Sequence, residues 1–123
     1  MPVRIVNPAS GTSFDWLCLV DTGADSSLFP ASIPVLLGHR LRGRGVRTTY
    51  STGVGGTTAV WLHTFRLGLL HPRQGEAVVW RSPRVRIGCV ESDGVPALLG
   101  TSDFLHHFRI TLDYPAQRLT VAW

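Results

Sequence analysis

Lysine is absent from this sequence: all twelve of its basic side chains are arginine. That excludes a nucleotide loop of the usual kind, in which a glycine-rich turn leads into a helix carrying Lys and Ser/Thr. Cysteine is scarce. Cys18 and Cys89 stand far apart without metal-ligand spacing, and nothing in the sequence supports a disulfide between them. Long apolar runs are missing as well, so no segment is expected to span a membrane. Charged residues make up only 16% of the chain against 44% hydrophobic ones, which excludes a disordered polypeptide. Met1-Pro2-Val3-Arg4 has no secretory-leader pattern. The expectation is a cytoplasmic protein, or a soluble domain of a larger one.

What is present points to a single domain over residues 1–123. Thirteen glycines and eight prolines punctuate short apolar runs, which suits an all-β domain better than helices. The formal charge of +4 is carried by arginine alone. Arg40, Arg42, Arg44 and Arg47 cluster, and they read as a solvated loop; a nucleic-acid partner is not expected. His106 and His107 are adjacent and should diverge on a helix, so no metal site is expected from them or from His39, His63 and His71. Trp16, Trp61, Trp80 and Trp123 read as core or interface residues. Cys18 reads as core.

Val3 to Val6 is a short strand, and Asn7 to Gly11 a turn. Phe14 to Val20 is almost continuously apolar, which predicts a strand buried on both faces. Pro30 to Leu37 predicts a helical turn stopped by Gly38. Val46 to Leu62 is a hairpin with threonine-rich arms and the tip Gly53-Val54-Gly55-Gly56; its polarity predicts that it projects from the body. Phe65 to Leu70, Ala77 to Trp80 and Arg84 to Val90 are further strands. Pro96 to Leu99 is another, followed by a short helix with Thr101 or Ser102 as N-cap. Phe108 to Leu112 and Arg118 to Ala122 close the chain around the turn Asp113 to Ala116.

Three segments carry chemistry. In Cys18-Leu19-Val20-Asp21-Thr22-Gly23-Ala24-Asp25, an apolar strand runs into a carboxylate on a glycine turn, where a charge is costly unless its proton or its hydrogen bonds are shared. Gly53 to Gly56 lets backbone approach another chain closely. Leu98-Leu99-Gly100 ends an apolar strand on glycine. Together, and in this order, they resemble the retropepsin-like aspartic proteases. Asp21-Thr22-Gly23 resembles the catalytic motif of that family, Gly53-Val54-Gly55-Gly56 its flap tip, and Leu98-Leu99-Gly100 the element crossing behind the catalytic loop. Ser102 to Leu105 with Phe108 to Tyr114 resembles the ending of bacterial and cellular members.

The resemblance implies a closed all-β barrel with a flap hairpin and one short C-terminal helix. A chain with one Asp-Thr-Gly would act as a homodimer, joined through the catalytic loop and through termini (Val3 to Val6 and Leu119 to Trp123) that interleave in a shared sheet. It implies an aspartic endopeptidase that needs no metal or organic cofactor and acts on an extended peptide or protein. A water between the two Asp21 carboxylates, one per subunit, would be the nucleophile. Thr22 would bond across the two-fold axis, and Gly23 would present its carbonyl to substrate. Ala24 would keep the site narrow, and Asp25 would accept hydrogen bonds from substrate backbone. Gly53, Val54, Gly55 and Gly56 would cover the substrate, with pockets lined by Leu28, Val54 and Leu98. Retroviral members carry an arginine near the C-terminal helix that pairs with the second aspartate of the loop. This chain has Thr101-Ser102-Asp103 there, so Asp25 lacks that partner. Asp103 reads as a helix-start residue, and Tyr50 as a possible counterpart of the flap tyrosine of pepsin-like enzymes. The alternative is a peptide-binding or dimerisation module on the same fold with little or no cleavage.

Overall fold

Glycine, proline and short polar turns divide the chain into eleven strands, one α-helical turn and one 3₁₀ turn; the computed structural model describes residues Met1–Trp123. The strands are β1 (Pro2–Val6), β2 (Ser13–Leu17), β3 (Leu19–Val20), β4 (Leu28–Phe29), β5 (Arg47–Gly53), β6 (Gly56–Leu70), β7 (Val78–Arg81), β8 (Val85–Cys89), β9 (Leu98–Leu99), β10 (Arg109–Asp113) and β11 (Arg118–Ala122). The helical turn α1 (Ser32–Leu36) ends as expected at Gly38, whose φ of 85° is a conformation open mainly to glycine. The chain is all-β in character. No helix is long and apolar enough to cross a membrane.

Nine strands form one sheet around β6, which pairs with β1, β5, β7 and β8. The main path runs β2-β1-β6-β8-β4-β9-β3 and is open. The closed barrel implied by the resemblance is therefore not seen, because no ladder joins β2 to β3. These two end strands are instead joined covalently through Cys18. β10 and β11 form a separate two-stranded sheet.

The core lies where alternation along β1 (Val3, Ile5) and β6 (Phe65, Leu67) meets Phe29, Ile87, Leu99 and Phe104. Phe29 and Phe65 meet edge to face, with ring centroids 5.3 Å apart. Cys18 and Cys89 are free and buried, so no disulfide forms. Burial pushes both thiols up to about 12, which keeps them protonated and unreactive at neutral pH.

Five expectations are corrected. The run Phe14 to Val20 is neither one strand nor buried on both faces: it breaks at Cys18, and Leu17 and Leu19 are 76% and 53% exposed. Cys18 alone is fully buried, with Trp16 and Val20 packed half-buried against the core, since β2 is an edge with no sheet packed over its outer face. The strand expected from Phe65 is instead the inner half of β6, continuous with the hairpin. The C-terminal helix shrinks to the 3₁₀ turn Leu105–His107, because Thr101 and Ser102 bond elsewhere and give Phe104 no side-chain cap. In that tight turn the His106 and His107 rings lie 3.8 Å apart instead of diverging. Finally, β1 is paired on both sides, by β2 and β6, so Val3 to Val6 is not free to interleave with another chain. β11 pairs only with β10.

Candidate functional site

β3 delivers Asp21. Its two residues pair in parallel with β9, Leu19 opposite Leu98 and Val20 opposite Leu99. The Leu19 N–H donates to the Ala97 carbonyl at 2.8 Å, and the Asp21 N–H to the Leu99 carbonyl at 3.1 Å. The strand then stops, and the Ala24 N–H closes the turn onto the Asp21 carbonyl at 3.2 Å. The Asp21 carboxylate accepts the Gly23 N–H at 3.0 Å and is half-buried, while Thr22 is exposed. Gly23 has no left-handed φ, so the turn itself does not demand glycine. A Cβ there would lie 3.4 Å from the Asp21 carboxylate oxygen, so what glycine supplies is open space beside the carboxylate.

The loop is clasped from behind. A Cβ on Gly100 would fall 2.7 Å from both the Ser26 carbonyl oxygen and the Ser27 nitrogen, so backbone crosses backbone there with no room for a side chain. The Gly100 N–H donates to Ser27 Oγ at 2.9 Å. Ser27 in turn donates to Asp103 twice, Oγ–H at 2.5 Å and N–H at 2.8 Å. Asp103 therefore does not stabilise a helix start; it satisfies a buried serine 76 residues away. Thr101 N–H and Oγ–H both donate to the Ala24 carbonyl, at 2.9 and 3.1 Å. Ser102 likewise gives N–H (2.8 Å) and Oγ–H to the Asp25 carbonyl. These two hydroxyls thus bind the loop instead of capping a helix. The Asp25 carboxylate is exposed and forms no ion pair: the two salt bridges are Arg4–Asp15 and Arg42–Glu91.

The hairpin of β5 and β6 runs from Arg47 opposite Leu62 to Gly53 opposite Gly56, with Val54-Gly55 as a two-residue tip. Gly56 takes a φ of 104°, which a side chain would strain. Every residue of β5 is exposed, in agreement with a projecting hairpin. Beneath the tip lies a cleft of about 390 Å³ lined by Gly53, Gly55, Gly56, Leu28, Val90 and Val95, among others. Leu98 sits beside Leu28 through direct strand pairing but does not line this cleft. Val54 is fully exposed and does not line it either, so the pocket expected from Leu28, Val54 and Leu98 together is not formed within one chain. Asp21, Thr22 and Gly23 also lie outside it. A second cleft of about 150 Å³ holds Ser27, Leu28, Tyr50 and Asp103.

Of the expected residues, the structure joins Leu28 with the three tip glycines, and Asp21 with Gly23, Ala24 and the strand before Gly100. Sequence reasoning missed Ser27. A serine following an Asp-Thr-Gly loop and a lone carboxylate after Gly100 were both visible, but their pairing was not. The Arg40–Arg47 cluster also divides: Arg42 pairs with Glu91 and lies 4.7 Å from the centre of the Trp61 ring, while Arg44 and Arg47 turn toward a pocket shared with Arg86. One half-buried carboxylate can serve as acid or as base, but peptide hydrolysis calls for both roles at once. Comparison with protein-family models gives no match to this chain. Comparison with curated proteins gives none either.

Proposed function

We propose that this chain is one half of a homodimeric aspartic endopeptidase of the retropepsin type. The observation that carries the reading is the braced position of Asp21: a half-buried carboxylate at the end of β3, hydrogen-bonded to Gly23 and backed by β9 and Gly100. The glycine-tipped hairpin above an apolar-floored cleft supports it, since an extended peptide held there would be bound mostly through main-chain hydrogen bonds.

A second copy would supply the missing carboxylate. Two carboxyls about 3 Å apart share one proton, a known property of aspartic proteases as a class. The ionised member takes a proton from water, and that water attacks the scissile carbonyl. The protonated member polarises the carbonyl and later helps to protonate the leaving nitrogen. The dyad titrates as a pair. Association is supported by the exposed Leu17 and Leu19 beside the loop, by Trp123, 63% exposed at the chain end, and by the unpaired edge of β11. Since β1 is already paired on both sides, the C-terminal hairpin and the Asp21 loop are the surfaces assigned to the dimer.

The test is cleavage of a peptide library at acid to neutral pH, with sedimentation in parallel. Asp21→Asn should lower turnover by about a thousandfold or more while leaving the dimer intact. Equal turnover by both proteins, or a monomer at active concentrations, overturns the reading. The unpaired carboxylate of Asp25 favours a second reading, a peptide-binding module without turnover. Saturable binding of uncleaved peptide by the wild type would establish that one.

A further inference from the structure

The sheet register brings three arginines to one place at the root of the hairpin. Arg47 opens β5 opposite Leu62, and Arg86 of β8 lies opposite Thr64. Leu62 and Thr64 are two apart on β6, so they share a face, and directly paired residues of antiparallel strands share it too. Arg47 and Arg86 therefore flank β6 on the same face, about 12 Å apart, two strand spacings across and two residues along. The loop before β5 adds Arg44, and the chain after α1 adds His39. Together with His63 and Thr64 they enclose a pocket of about 290 Å³ that no carboxylate lines.

None of the three guanidiniums is engaged in an ion pair. His39 Nε2 is buried without a hydrogen-bond partner, the only side-chain polar atom in the chain so placed. The His39 and His63 rings lie 5.0 Å apart, and His63 Nε2 is tied to the Leu41 carbonyl at 3.0 Å. We propose that this pocket binds a phosphoryl group on a small anion. Guanidinium forks lining one pocket match the spaced oxygens of a tetrahedral oxyanion and repel a metal cation. A doubly charged phosphoryl group offsets more of the local charge than a single carboxylate would. The pocket lies at the lower end of ligand-site volumes, which suits a small molecule. The same face of β6 continues through the exposed Arg66 to Gly68, which lies opposite the exposed Arg81, so the pocket is the concave part of a longer basic face, and titration with an oligonucleotide decides between a small anion and a polyanion. The site is independent of the proteolytic reading and shares no residue with the Asp21 loop.

Titration calorimetry with sodium pyrophosphate, with inorganic phosphate and with a single-stranded oligonucleotide tests the site, alongside nitrogen-15 spectra of the imidazoles. A single saturable pyrophosphate site that shifts the His39 and His63 resonances is expected. Arg86→Gln or Arg44→Gln should weaken it about tenfold, and Arg73→Gln, an exposed arginine elsewhere, should not. Thermal melts check folding. If Arg86→Gln fails to fold, Arg44→Gln, in a loop, carries the comparison. Lack of saturable binding, unmoved imidazoles, or equal weakening by Arg73→Gln would overturn the proposal. So would oligonucleotide binding that grows with length and is not displaced by pyrophosphate.

Discussion

The Asp21 loop and the hairpin are built on opposite terms. Around the loop, residues far apart in the chain are locked by backbone: β3 on β9, Gly100 against Ser26 and Ser27, and Thr101, Ser102 and Asp103 returning hydrogen bonds to residues 24–27. Beyond its root, where Trp61 and Leu62 pair with β8, the hairpin has one neighbour, itself: β5 is exposed along its whole length and pairs with β6 alone. A group that must hold a carboxylate within a fraction of an ångström needs the first construction. An element that must admit and cover a chain needs the second, with few buried contacts to break. Glycine marks both regions for different reasons. At Gly100 it removes a collision; at the tip it leaves the backbone free of side chains.

That contrast can be broken at its sharpest point by adding one methyl group to each region. Gly100→Ala forces Cβ into the Ser26 and Ser27 backbone and should cost about 3 kcal/mol or more in urea unfolding, or prevent folding. Gly53→Ala meets nothing within 4 Å and should stay within about 0.5 kcal/mol of wild type. Equal costs would show that the loop is no more tightly built than the hairpin.

A milder cut removes only the polar clasp. Asp103→Ala leaves the buried Ser27 N–H and hydroxyl without their acceptor and should destabilise by about 2 kcal/mol. Ser27→Ala should cost less in that background than in the wild type, since only the Gly100 N–H then loses its acceptor; additive losses in a double-mutant cycle would refute the coupling.

The smallest effect belongs to the root of the hairpin, where His39 packs on His63 and Phe65. Burial, reinforced by the neighbouring His63 ring and opposed by the Thr64 backbone, holds His39 below the ordinary imidazole value. The folded state thus binds the His39 proton less readily than the unfolded chain. Stability from this group is intact above about pH 6.5 and declines as pH falls toward the folded value. His39→Gln should flatten that part of the stability–pH curve, by less than about 1 kcal/mol, read by thermal melts in steps between pH 7.5 and 5, values chosen to span the imidazole range. An unchanged slope would place the acid sensitivity elsewhere.

Much of this was legible from the residues in order. Short β-prone runs located β1, the hairpin and the closing strands, and glycine and proline marked their ends. Local pattern could not register partnership. Phe14 to Val20 is apolar enough to be buried twice over, yet nothing in one chain covers its outer side. Thr101 and Ser102 have the chemistry of helix caps, but the carbonyls of Ala24 and Asp25 claimed them first. Asp103 and Ser27 are ordinary until the crossing at Gly100 brings them together. Arg86 joins Arg44 and Arg47 only through sheet register.

β6 runs for fifteen residues, from a solvent-exposed tip into the hydrophobic centre, without a break at the hairpin root. At about 3.3 Å per residue it is a beam some 50 Å long, cantilevered from Phe65, Leu67 and Leu69. Its length can therefore evolve only in even steps at the free end, matched on β5. A single inserted residue below the root would rotate every inward side chain to the outside, whereas a matched pair added at the tip would lengthen the reach and leave the anchorage unaware of it.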